Sequence, residues 1–379
     1  MKNTVYLDNS STTMPCKSAI DGINNALNEN WGNPSSLHIL GMNAENCISD
    51  AREKIAEKLS CRQDEIYFTS CGTEGNNTAI FGAAYQRKKL GKRIVTTSIE
   101  HPSVLEAMKR LESEGFDVVY IKPQPNGSVS QEDLISAING ETALVSIMLV
   151  NNETGAFQPV KLAAEIIKKN NAPALLHCDA VQAFGKTDIK VYDLGVDMLT
   201  VSAHKIHGPK GIGALFVKKS VTVRPLIVGG GQERGFRSGT ESVPLIMGFF
   251  GAVCELPDTK SSLEKMQVLK NALTEKIEKS GIAEINSPYD GLPYIVNISL
   301  LGYRSETVLH FLESKDIYVS SGSACAKGKG SHVLNEMGLG RERTDSAIRV
   351  SFSRFNSIED VDKLFEALID ARNSLRRSN

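Results

Sequence analysis

The chain has 379 residues, is 41% hydrophobic and 23% charged, and carries a formal net charge of −1. This is the make-up of an ordinary soluble globular protein of roughly two to three domain-sized units, and its charge balance makes no case for nucleic acid or an anionic membrane surface. No apolar run reaches the roughly 18 residues of a membrane span, and the first residues lack the apolar core of a secretory signal. The seven cysteines (16, 47, 61, 71, 178, 254 and 325) form no C-x-x-C pair. Such usage points to free thiols in a reducing compartment, without a disulfide framework or a zinc knuckle, so a cytoplasmic protein with no metal site is expected.

A short apolar piece at 5–7 leads into the polar loop Asp8-Asn9-Ser10-Ser11-Thr12-Thr13, and Trp31-Gly32-Asn33-Pro34-Ser35-Ser36 is a second loop. Ile48, Ala51, Ile55 and Leu59 recur at helical spacing with charges opposite, which predicts an amphipathic helix over 45–59. Short strands then alternate with helices. Strands are predicted at 65–69, 93–98, 117–121, 143–150, 174–178, 198–201 and 214–217, and helices at 103–114, 131–139 and 160–169. That alternation predicts a mainly parallel sheet covered on both faces, with ligands at the carboxyl ends of its strands. After about residue 256 the pattern becomes helix 262–279, strand 294–299, helix 305–314 and strands 317–320 and 347–352. A closing helix is announced by the capping-box pair Ser357 and Asp360. The reading is a large α/β domain over 16–255 and a smaller α+β domain made of 1–15 and 256–379.

Polar clusters fall at the predicted strand ends. The strand at 198–201 runs into Ser202-Ala203-His204-Lys205 and a glycine-proline turn, Gly208 to Gly213. A lysine held at a strand mouth loses water, which lowers its pKa and exposes the lone pair that a Schiff base needs. A surface lysine in a basic turn would read the same locally. Thr69-Ser70-Cys71-Gly72-Thr73-Glu74-Gly75-Asn76 follows a strand and opens a helix, which suits a phosphate cup or a plain strand-to-helix turn. His101 follows the strand at 93–98, and a lone histidine there suits structure as well as chemistry. Asn151 and Asn152 follow the most apolar strand, where amides suit ligand binding or a simple turn. Asp179 ends another apolar run, where it either meets a cationic partner such as a protonated pyridine or caps the next helix. The glycine-rich stretch 229–240 holds two arginines and is either a linker or an arm to another site. Cys325 lies among small residues with Lys327 and Lys329 nearby, a setting that favours a reactive thiol.

These segments together resemble the pyridoxal-phosphate-dependent cysteine desulfurases of the NifS/IscS type. The likeness runs nearly end to end through YLDNSSTT (6–13), GNPSS (32–36), TSCGTEGNN (69–77), EHPSV (100–104) and VNNETG (150–155). It continues through HCDAVQ (177–182), SAHKIHGPKGIG (202–213), GGGQERGFRSGT (229–240), SSGSAC (320–325) and IRVSFSRF (348–355). The resemblance implies the aspartate-aminotransferase fold (fold type I), a homodimer, pyridoxal 5'-phosphate as cofactor and L-cysteine as substrate. It implies Lys205 as the Schiff-base lysine, with Gly72, Thr73, Ser202 and His204 around the phosphate and Thr240 reaching it from a partner subunit. Asp179 would hold the pyridine nitrogen, Gln182 and Asn152 the ring oxygen, and His101 would stack on the ring and move protons. Asn33 and Arg349 would grip the substrate carboxylate. Cys325 would take the sulfur as a persulfide, be able transiently to ligate an iron–sulfur cluster, and hand sulfur to an acceptor or cluster-scaffold protein. The chain departs from the family pattern at Ser11, usually alanine, at Cys71, usually glycine, and in a shorter loop after Cys325.

Overall fold

The computed structural model describes residues 4–321 and 330–377. Seven strands form the main sheet in the order Ile66–Thr69, Gly213–Val217, Met198–Ser202, Leu175–Asp179, Thr142–Ser146, Arg93–Thr97, Asp117–Ile121. The pairings from Met198–Ser202 to the Asp117–Ile121 edge are all parallel. Gly213–Val217 runs against both of its neighbours. Every position of Thr142–Ser146, Leu175–Asp179, Met198–Ser202 and Gly213–Val217 is buried, which is why these strands read as continuous apolar runs instead of alternating ones. Successive side chains feed opposite faces of the sheet. Ile94, Leu144, Leu175, Met198 and Leu215 enter one core, while Val95, Val145, Leu176, Leu199 and Phe216 enter the other.

The helices cover those faces through helical spacing. Pro102–Ser113 buries Val104, Ala107, Met108 and Leu111, and Val160–Lys169 buries Val160, Ala163 and Ile166. Three expectations shift. The strand predicted over 143–150 ends at Ser146, because the Met148 N–H turns away from strand pairing and donates to both oxygens of Glu100 (3.0 and 3.1 Å). The predicted amphipathic helix starts earlier, as Ile39–Leu59. Val243–Cys254, apolar nearly all round, is a further helix and packs between Lys17–Glu29 and Ile39–Leu59.

In the C-terminal part Ile295–Ser299 is flanked antiparallel by Ala347–Ser351 and Glu284–Ile285. Ile358–Ser374 packs on Thr259–Ser280 and Ser305–Glu313, and its start carries the expected capping box of Ser357 and Asp360. Val5–Tyr6 pairs in parallel with Ile317–Tyr318, and Asp8 bridges to Ser351, so the polar loop 8–13 is delivered to the main sheet from the C-terminal side. On this change of sheet we propose the division into a large domain over 16–255 and a small one made of 1–15 and 256–379. No helix among the described residues is long and apolar enough to cross a membrane.

Candidate active site

At the carboxyl end of the sheet lies a cavity of about 320 Å³. Gly72, Thr73, His101, Asn152, Asp179, Gln182, Ser202, His204, Lys205 and Arg349, drawn from distant parts of the sequence, all line it. Lys205 closes a short helical turn, Ala203–Lys205, that follows Met198–Ser202 directly. Its Nζ donates to the carbonyls of Ser10 (2.6 Å) and Ser11 (2.7 Å), so the N-terminal loop supplies its acceptors. Burial, then the Arg349 charge, draws the Lys205 amine down to about 8. His204, next to it, is pushed to about 4 by burial and by the Lys205 charge, and is therefore neutral at pH 7.

Asp179 closes the strand Leu175–Asp179 and is buried. Its Oδ2 accepts from Asn76 Nδ2 (2.7 Å) and its Oδ1 from the Val181 N–H (2.9 Å). Asn76 Nδ2 also donates to Ser103 Oγ (2.9 Å), which lies 2.8 Å from His101 Nδ1. His101 caps the helix Pro102–Ser113, with Nδ1 accepting the Ser103 N–H (3.1 Å). An Nδ1 that accepts leaves the ring proton on Nε2. Burial lowers the His101 pKa, opposed by the Asp179 charge and reinforced by Lys205. Gly72 opens the helix Gly72–Arg87 beside these groups. A Cβ there would stand 2.9 Å from Val181 Cγ2, so packing itself requires glycine.

Arg349 reaches the cavity from the middle of Ala347–Ser351. Its guanidinium donates to Asp8 Oδ1 (2.9 Å), Ser11 Oγ (2.7 Å) and the Asn152 carbonyl (2.9 Å). Ser11 in turn donates to Asp8 Oδ1 (2.7 Å), so the hydroxyl that departs from the family pattern joins this arginine cluster.

Three predicted residues stand apart. Asn33 and Thr240 are exposed and do not line the cavity, and Asn33 Oδ1 accepts from the Ser35 N–H (3.0 Å). Cys325 lies outside the described residues. His332 lines the cavity but was not anticipated. Its Nε2 donates to the Glu100 carbonyl (3.3 Å), and Ser331, just before it, donates to the buried Glu153. The available signal was Ser331 as a helix cap straight after a glycine-lysine run.

The cavity wall has unmet hydrogen-bonding capacity. Among the described residues Ser10 Oγ, Asn76 Oδ1, Asn152 Oδ1 and Ser202 Oγ are buried without a partner, and all four belong to lining residues. Each such atom costs about 1–3 kcal/mol, so the wall is built to be completed by a polar ligand. An amine, a carboxylate, a helix N-terminus and unpaired hydroxyls together fit an aldehyde that carries a basic ring nitrogen and a phosphate.

Residues 5–364 match the aminotransferase class-V family. The chain belongs to that family. Cysteine desulfurase IscS of Clostridium botulinum (strain Hall) is 41% identical over 375 residues, spanning 97% of this chain and 94% of that protein. A solved NifS-like protein superposes with a TM-score of 0.93 at 38% identity, covering 98% of this chain and all of the other. A second solved structure, SspA in complex with cysteine, gives a TM-score of 0.82 at 35% identity over 93% of this chain and 100% of that one. The architecture is that of the fold-type-I pyridoxal-phosphate transferases, and pyridoxal 5'-phosphate is the family's cofactor. The residues of this class-V chain fit it.

Proposed function

We infer that this class-V chain is a pyridoxal-phosphate-dependent cysteine desulfurase. It converts L-cysteine to L-alanine and passes the sulfur, as a persulfide on Cys325, to an acceptor for iron–sulfur cluster assembly or for tRNA or cofactor thiolation. The observation that carries this reading is the placing of the Lys205 amine, the Asp179 carboxylate and the Arg349 guanidinium around one cavity. We assign Lys205 to the cofactor aldehyde, and Gly72, Thr73, Ser202 and His204 to its phosphate. Asp179 takes its ring nitrogen, and Asn152 and Gln182 its ring oxygen.

When bound, pyridoxal phosphate supplies an electron sink for negative charge at the substrate Cα. Lys205, whose amine is drawn down to about 8 and so gives up its proton more readily than an ordinary lysine, takes the Cα proton at Nζ. Arg349 exchanges its contacts with Asp8 and Ser11 for the substrate carboxylate. His101 holds a proton at Nε2 for the acid–base steps. The Cys325 thiolate attacks the substrate sulfur. The sulfur–Cys325 bond forms, the C–S electron pair returns to the substrate, and protonation at Cβ gives the methyl group of alanine.

Thr240, exposed on its own chain, completes the phosphate site of a second subunit in a homodimer that works in the cytoplasm. The test is alanine and sulfide production from L-cysteine, with and without a thiol reductant. Equal amounts of alanine and reductant-releasable sulfur are expected. Alanine without sulfur, or amino-group transfer to a keto acid instead, would overturn the reading.

A further inference from the structure

A buried lysine lies behind the cavity, and neither the mechanism nor the sequence motifs use it. Lys186 is buried, and its Nζ sits 5.7 Å from the centre of the Tyr294 ring. Among the described residues no carboxylate lies within ion-pair distance of it. It stands four residues after Gln182, and its Nζ donates to Gln182 Oε1 (3.1 Å). The other end of that amide is held as well, since Gln182 Nε2 donates to the Ser10 carbonyl (2.9 Å). That same carbonyl accepts from Lys205 Nζ (2.6 Å). A chain of hydrogen bonds therefore joins the two lysines through Ser10 and Gln182. Gln182 lines the cavity and Lys186 does not.

We propose that Lys186 is a positioning residue for the cofactor. It holds the Gln182 carboxamide with its oxygen turned away from the cavity, so that Gln182 presents an N–H donor to the bound group. A carbonyl accepts only, so Ser10 fixes which end of the amide is nitrogen, and Lys186 satisfies the oxygen that this choice buries. Of the two N–H bonds on Nε2, one is used by Ser10 and one remains. The hydrogen bond from Lys186 Nζ polarises the amide and strengthens that remaining donor. The charged groups whose field reaches Lys186 are Lys205, from the turn after Met198–Ser202, and Arg349, from Ala347–Ser351. Both are cations, so Gln182 is the polar side chain that answers it.

The inference rests on the cofactor occupying the Lys205 cavity, and its test separates the two ideas. The readout is the pH midpoint of the visible absorption change of the cofactor-loaded protein. A donor to the cofactor's ring oxygen favours the anion, so weakening it in Lys186→Met moves the midpoint up, by about one pH unit for one charge-assisted hydrogen bond. Gln182→Met, which leaves Lys186 in place, moves it in the same direction; should Lys186→Met fail to fold, Lys186→Leu, equally unable to donate, is read in its place. In the Gln182→Met background Lys186→Met adds no further shift. A wild-type band whose midpoint is unmoved on loss of the Lys186 amine would overturn the inference alone, as would fully additive shifts in the double variant. A wild-type chain that shows no visible band would overturn the site reading and this inference with it.

Discussion

His177 and Asp179 sit two positions apart on the strand Leu175–Asp179, yet they differ in what their neighbours leave undone. Both ring nitrogens of His177 are engaged, with Ser146 Oγ at 2.9 Å and Thr200 Oγ1 at 3.0 Å, and burial pushes its pKa to about 3. It is a closed polar unit inside the sheet. Asp179, at the strand's end, faces a cavity whose wall includes buried oxygens that have no partner among the described residues. A polar residue in a sheet therefore says little by itself. Its function is read from whether its surroundings are complete, which is why the sheet interior of this class-V chain resists chemistry and its carboxyl edge invites it.

Replacing a residue of the open edge costs activity, and replacing one of the closed interior costs stability. The largest effect is expected for Lys205→Ala, in which alanine formation from L-cysteine falls by more than about 10³-fold with the far-ultraviolet circular dichroism unchanged. For Cys325→Ala, sulfur release is lost while exchange of the substrate Cα proton with solvent, followed by NMR, persists. Sulfide release at the wild-type rate would refute that residue as the nucleophile.

His101 and His177 give the comparison its direct form. His101→Gln slows alanine formation by about 10²-fold with little change in the urea midpoint. His177→Ala costs about 2–4 kcal/mol in urea unfolding, because it opens a cavity and strands the Ser146 and Thr200 hydroxyls. A His177 variant with normal stability and lost activity would invert the picture.

Acid makes the same contrast visible without mutation. His177, His204 and His207 have folded-state pKa values lowered to about 3, 4 and 4, mainly by burial. The unfolded chain binds protons at these sites near pH 6.5 and the folded chain does not, so stability falls as pH drops from about 6.5 towards 4. Thermal midpoints across that range test this, and His177→Ala flattens part of the slope. The smallest effect is expected at the periphery, where Ser357→Ala removes a helix cap for about 1 kcal/mol and leaves turnover unchanged.

Much of the fold was legible because apolar runs bounded by turn residues mark buried strands, and the end of each run located a polar cluster. The helix Val243–Cys254 was not legible, since a segment apolar nearly all round has no stripe to reveal its period. The strand at 143–150 was overextended because its end is set by Glu100, a carboxylate far away in sequence that captures the Met148 N–H. In the site, Lys205, Asp179 and His101 were visible as side chains at strand ends. The acceptors of Lys205 were not, because they are backbone carbonyls of Ser10 and Ser11 and carry no side-chain signature. The pairing of Lys186 with Gln182 was hidden for a similar reason, as a lysine four residues along a tight turn looks like a solvated one.

The most direct test treats the cofactor-loaded protein with borohydride, digests it and maps the covalent adduct by mass spectrometry. The account predicts a single pyridoxyl adduct on Lys205. An adduct on Lys186 or on any other residue, or no adduct at all, would contradict it.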